Sequence, residues 1–190
     1  RAMSRIIAVN GIAFTGNPCQ VVTSTFNGRH LKAGERVWAA LFVLQAWLDR
    51  HHPDLYVYVI QSAYNTTVAA SAGTHDKDGV IDVLIINRKT GRRVWLRGQW
   101  WMRRHGWAAW WRHTGSWYRP SSWHLHAILL GTISAGCPVG YLVPSQVDDY
   151  FGRRSGLSGH LPDPTRHPKD INATIFNFPK WLHEQERKAS

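Results

Sequence analysis

The chain has 190 residues, 44% of them apolar, and a formal net charge of +11. That is enough for one sizeable core and argues against a disordered chain, while no run approaches the ~18 apolar residues of a membrane span. Two cysteines, Cys19 and Cys137, exclude a disulfide scaffold and a structural zinc ribbon, and leave open one bridge or two reduced thiols. The opening Arg1-Ala-Met-Ser-Arg-Ile-Ile lacks the apolar core and cleavage site of a signal peptide. Arg92, Arg93, Arg97, Arg103, Arg104, Arg112 and Arg119 cluster in one segment, a field that draws a protein to an anionic polymer.

In chain order, residues 1–30 read as an irregular arm. Ile6 to Val9 suits a short strand, and Asn10-Gly11, Gly16-Asn17-Pro18 and Asn27-Gly28 are turn signals. Val37, Leu41, Leu44 and Leu48 recur at helical spacing, which predicts a helix over 35–50 that Pro53 stops. Leu55 to Gln61 is β-branched and aromatic and predicts a strand, followed by a polar loop from Ser62 to Thr67. Val80 to Asn87 predicts the next strand. Residues 92–105 predict a helix ended by Gly106, and Trp107 to Trp111 a strand. A loop from Gly115 to Ser122 leads to a buried strand from Trp123 to Leu130. Pro144 to Phe151 suits a short helix with Pro at its start. From Gly152 to Ser190 an extended tail is expected over a single domain.

Two motifs carry chemistry. Asp82 lies within an apolar strand, where a lone carboxylate is costly unless it is paired or binds a metal. His124 and His126 are two apart on a strand and so share one face. With His75, seven residues before Asp82, they suggest a site of three ligands, His75, Asp82 and His126, with a fourth position open to water. Two imidazoles favour zinc over magnesium or calcium. The chain has three glutamates, Glu35, Glu184 and Glu186, none near either motif in sequence. His124 is therefore the candidate general base or oxyanion donor; Asp76 and Asp78 are weaker candidates that read more simply as solvated loop carboxylates. Gln61, Tyr64, Ser71 and Trp123 are candidate substrate contacts.

The pattern His75, Asp82, Trp123-His124-x-His126 ahead of an apolar strand resembles the M15 peptidases, the D-Ala-D-Ala carboxypeptidase-like zinc enzymes. These belong to the wider lysostaphin-like, D-Ala-D-Ala metallopeptidase and hedgehog superfamily. Ala69-Ala-Ser-Ala-Gly-Thr-His75 and Gly106-Trp-Ala-Ala-Trp110 look most like actinobacterial and actinophage members. The resemblance covers residues 55–131. It implies an α+β fold, with a small antiparallel sheet carrying the zinc and flanked by helices. It also implies His75, Asp82 and His126 as zinc ligands, His124 as the catalytic histidine beside them, and cleavage of peptide bonds in bacterial peptidoglycan. Three positions depart from the family pattern: Gly73 replaces a serine, Asp78 a glycine, and Trp123 a glutamate. The last favours the His-x-His branch over the branch with a glutamate base. The expectation is a monomer that acts at the bacterial wall, reached by a route such as phage lysis, with no nucleic-acid partner. The alternative is a non-catalytic, zinc-stabilised protein that binds an anionic polymer.

Overall fold

A computed structural model describes residues 6–113 and 122–190. Four strands, β5 (Leu55–Gln61), β6 (Val80–Asn87), β7 (Trp107–Arg112) and β8 (His124–Leu129), form one antiparallel sheet in the order β5-β6-β8-β7. The alternation of side chains gives this sheet two different faces. Val57, Val59, Ile81, Val83, Ile85, Leu125 and Ala127 point into the larger core, which holds α1 (Glu35–His51) and α2 (Leu96–Arg104). Val80, Ala108, Trp110 and Ile128 point the other way, onto a smaller core with Val143 and Tyr150 of α3 (Val143–Phe151). The fold is therefore α+β, as expected.

The N-terminal residues differ from the irregular arm of the sequence reading. They form two hairpins, β1 (Ile7–Val9) with β2 (Ile12–Phe14), and β3 (Val21–Phe26) with β4 (Arg29–Gly34). Both turns are Asn-Gly pairs with positive φ at each residue: 49° and 79° at Asn10-Gly11, 47° and 80° at Asn27-Gly28. That is the backbone a two-residue hairpin requires, and Asn-Gly supplies it with little strain. The turn signals were present, but the strands between them are short and alternate weakly.

The C-terminal tail is likewise not wholly extended. Phe178–Ala189 form α4, capped by Asn177, whose side chain accepts from the Lys180 amide. Phe178 and Trp181 bury against Phe14, with ring centroids at 6.4 and 5.0 Å. Helix α2 begins at Leu96 rather than Arg92, because Val94 donates to the Ile85 carbonyl and Arg93 bridges to Ile86, holding 92–94 extended along β6. Cys19 and Cys137 form a disulfide that ties the loop before β3 to the loop after β8. Among the described residues no helix is long and apolar enough to cross a membrane. The expected loop over 115–122 lies outside the described residues except for Ser122.

Candidate metal centre

The register of the sheet builds the site. Asp82 of β6 pairs directly with His126 of β8, and Trp110 of β7 pairs with His126 on its other side. His75 comes from the loop ahead of β6. His75, Asp82 and His126 are 1%, 5% and 6% exposed, and one ligand atom from each lies within 4.8 Å of the others. Asp82 Oδ1 is 3.2 Å from His75 Nε2 and 2.9 Å from His126 Nδ1. These three residues form a group that could hold a metal ion.

The far side of each ring fixes what the near side can be. His75 Nδ1 lies 3.3 Å from the Ser62 carbonyl, which only accepts, so this nitrogen donates. His126 Nε2 lies 3.4 Å from Gln146 Oε1, while the Gln146 amide donates to the Gly156 carbonyl at 3.0 Å. Gln146 therefore presents an acceptor, and His126 Nε2 carries the proton. In the neutral rings, His75 Nε2 and His126 Nδ1 are both lone pairs aimed at a carboxylate oxygen. Three acceptors converge with no donor between them, and a cation resolves that arrangement. Burial opposes protonating the His126 ring, pushing its imidazole down to about 4. Burial by itself raises the Asp82 carboxyl, and only positive charge or donated hydrogen bonds from the His75 and His126 side hold it below the usual carboxylate range, a charge that a bound cation would supply in place of ring protons.

His124 stands beside this group. Its Nδ1 donates to the Ser122 carbonyl at 2.8 Å, and its Nε2 faces Asp82 Oδ2 at 3.6 Å. It is more exposed than the three buried residues, with 14% of its side chain accessible.

Gln61 also reaches this face, by a device the sequence did not announce. β5 pairs Val59 with Val83 but Gln61 with Asp82, so one extra residue, Ile60, bulges out. Without that bulge Gln61 would oppose Ile81 on the core face; with it, Gln61 shares the face of Asp82. The Gln61 side-chain carbonyl accepts from Ser71 Oγ at 3.2 Å, and its buried amide nitrogen has no partner among the described residues.

Comparison with family models, with curated proteins and with solved structures gives no match. The reading of this site therefore rests on its own geometry.

Not every candidate residue is brought here. Trp123 packs edge-on against Trp95 and Trp111, at 6.3 and 5.7 Å, in an aromatic cluster on the α2 side of the sheet. Tyr64 lies against the main core with the Lys32 ammonium over its ring at 5.5 Å, and burial with the nearby Asp78 carboxylate pushes its hydroxyl up to about 12. Asp78 is not a solvated loop carboxylate: it is fully buried, accepts from the Gly34 amide at 2.9 Å, and has its carboxyl raised by burial. Glu35 is bound to the Thr15 and Gly16 amides, so it is not available as a base. A glycine at position 73 has a local cause. Its φ is +85°, and a side chain there would run into the Tyr141 ring.

The residues that sequence reasoning missed are those of the strap 153–156 and its anchors. Trp110 stacks on His126 at 6.1 Å and donates from Nε1 to the Arg154 carbonyl. Arg112 donates to the Ser155 carbonyl at 2.7 Å. Together with Gln146 on Gly156, these contacts close one side of the site. A Trp within an apolar strand and a Gln within a helix give no sequence signal for such pairings.

Proposed function

We propose that the chain is a zinc-dependent peptidase that cleaves peptide bonds of bacterial peptidoglycan. The observation that carries this reading is the convergence of His75 Nε2, His126 Nδ1 and Asp82 Oδ1 as acceptors, with each ring held from behind by Ser62 or Gln146. Two imidazoles and one carboxylate suit zinc and leave room for a further ligand. When bound, zinc would lower the pKa of water toward neutrality and polarise a carbonyl.

The chain's own residues supply the rest. His124 moves the proton: with Nδ1 committed to the Ser122 carbonyl, Nε2 is the atom that accepts it from the nucleophile and returns it to the leaving amine. The buried amide nitrogen of Gln61 is a donor with no acceptor among the described residues, placed on the face of Asp82, where it can bind a substrate carbonyl. Ser71 holds Gln61 so that its nitrogen, rather than its oxygen, is presented. The resemblance to M15 peptidases supplies the substrate class, and a net charge of +11 suits an anionic wall.

The test is metal content of the purified protein, paired with release of free amines from purified walls with and without chelator. One zinc per chain and chelator-sensitive release are expected. One zinc per chain with no release from walls of any peptide type would overturn the peptidase and leave a metal-stabilised binding protein.

A further inference from the structure

Behind the metal centre the sheet carries a second polar feature. A cavity of about 550 Å³ is lined by Arg92, Arg93 and Arg97, by Trp95 and Trp111, and by their neighbours; none of its ten lining residues is acidic. It lies on the other side of the sheet from the metal group. Trp111 pairs with Leu125 and packs on the larger core, whereas Trp110 and His126 face the opposite way. Arg92 and Arg97 are exposed, so their charge acts on whatever enters from solvent. Guanidinium forks match phosphate oxygens in geometry as well as charge. The first turn of α2 adds a modest pull in the same sense, since it opens beside the cavity with no acidic residue and no side-chain cap.

The aromatic rings decide which phosphate polymer fits. A site for single-stranded nucleic acid offers ring faces on which bases stack. Here Trp95 and Trp111 stack on each other, 5.4 Å apart and 8° from parallel. His113 lies against Trp111 at 3.8 Å, and the Arg93 guanidinium sits over Trp95 at 5.9 Å. The ring faces are engaged within the protein, and what the cavity offers a ligand is charge and ring edges.

We propose that this cavity is a second binding site, for the phosphodiesters of a base-free polyol-phosphate polymer of the bacterial surface. The choice of a surface polymer rests on the wall-peptidase reading; the preference for a base-free phosphate chain does not. The site would hold the enzyme on the wall while the opposite face of the sheet acts on peptide.

The test is binding of poly(glycerol phosphate) of defined length, measured by calorimetry at two salt concentrations, against single-stranded DNA of equal charge. The wild type and Arg92→Ala/Arg97→Ala are compared. Both substituted residues are exposed, and circular dichroism checks the fold. The double variant is expected to bind the polymer about tenfold more weakly, with a salt dependence shallower by about two phosphate contacts. Unchanged affinity in the double variant would overturn the site. Tighter binding of DNA than of the polymer would overturn the base-free ligand. His126→Ala separates this proposal from the peptidase reading: it is expected to lose metal and keep polymer affinity. A wild type that binds polymer with this contrast but hydrolyses no wall defeats only the peptidase reading, and hydrolysis without the contrast defeats only this site.

Discussion

Gln146 Oε1 stands 3.4 Å from His126 Nε2, across 20 residues of sequence. Its amide is committed to the Gly156 carbonyl, so Gln146 accepts and His126 donates. This fixes the tautomer that turns His126 Nδ1 toward Asp82. Gln146→Ala should therefore weaken metal binding by about 10- to 100-fold while leaving the fold intact. Competition with a chromogenic chelator measures it. Gln146→Glu, which keeps an acceptor, should restore much of the loss; equal loss in both variants would show that Gln146 serves packing alone.

His124 faces Asp82 without belonging to the buried group. His124→Ala should keep one metal per chain and lower turnover by about 10²- to 10⁴-fold, the usual contribution of a positioned acid–base group. Metal analysis and wall hydrolysis on one preparation check both halves. Full activity in this variant would remove the proton-transfer role.

Gly34 gives a test of the buried Asp78. A Cβ at Gly34 would overlap Asp78 Oδ2 and stand 2.9 Å from the Pro18 carbonyl. The backbone φ of −67° is ordinary, so the effect is steric. Gly34→Ala should destabilise by about 1–3 kcal/mol, as overpacking does, read from the urea midpoint at constant slope.

The Cys19–Cys137 bridge spans a sequence separation of 118 residues. Closing so long a loop restricts the unfolded chain, and Cys19→Ser/Cys137→Ser should lose about 2–5 kcal/mol. Urea unfolding of the wild type should shift with reductant toward that of the double variant, which should itself be indifferent to reductant.

Asp163 predicts the acid limb of stability. Burial pushes its carboxyl up, but bonds from His167, Thr165 and Arg103 outweigh this and hold it well below the usual range. The folded value lies below the unfolded value, so the stabilisation is fully present above about pH 4, the ordinary aspartate range. It is lost as pH falls from there through the folded value, because the unfolded chain binds the proton first. Asp163→Asn should lower stability at neutral pH and flatten this limb. An acid limb of unchanged steepness would remove Asp163 from the account.

The sequence by itself determined the local elements and picked out the three residues that the fold brings together as a group that could hold a metal ion. Val37 to Leu48 has helical spacing, Leu55 to Gln61 and Val80 to Asn87 are strand-like, and His75, Asp82 and His126 are polar side chains that an apolar strand or its approach does not otherwise accommodate. Local propensity and side-chain period act over a few residues, so they are legible in order along the chain. The two hairpins were half legible, in their Asn-Gly turns, whereas α4 fell in a stretch that was expected to be extended tail. Tertiary structure alone decided the remainder. The bulge at Ile60 turns Gln61 onto the face of Asp82, the pairing of Asp82 with His126 sets the spacing of the candidate group, and Gln146 and Ser62 choose the protonated nitrogen of each ring. The same sheet sends Trp123 to the other side, away from the His75, Asp82 and His126 group. These are matters of register and of contact between elements distant in sequence. A one-residue slip in pairing exchanges the two faces of a strand, and no pattern within either strand records which register the folded chain adopts.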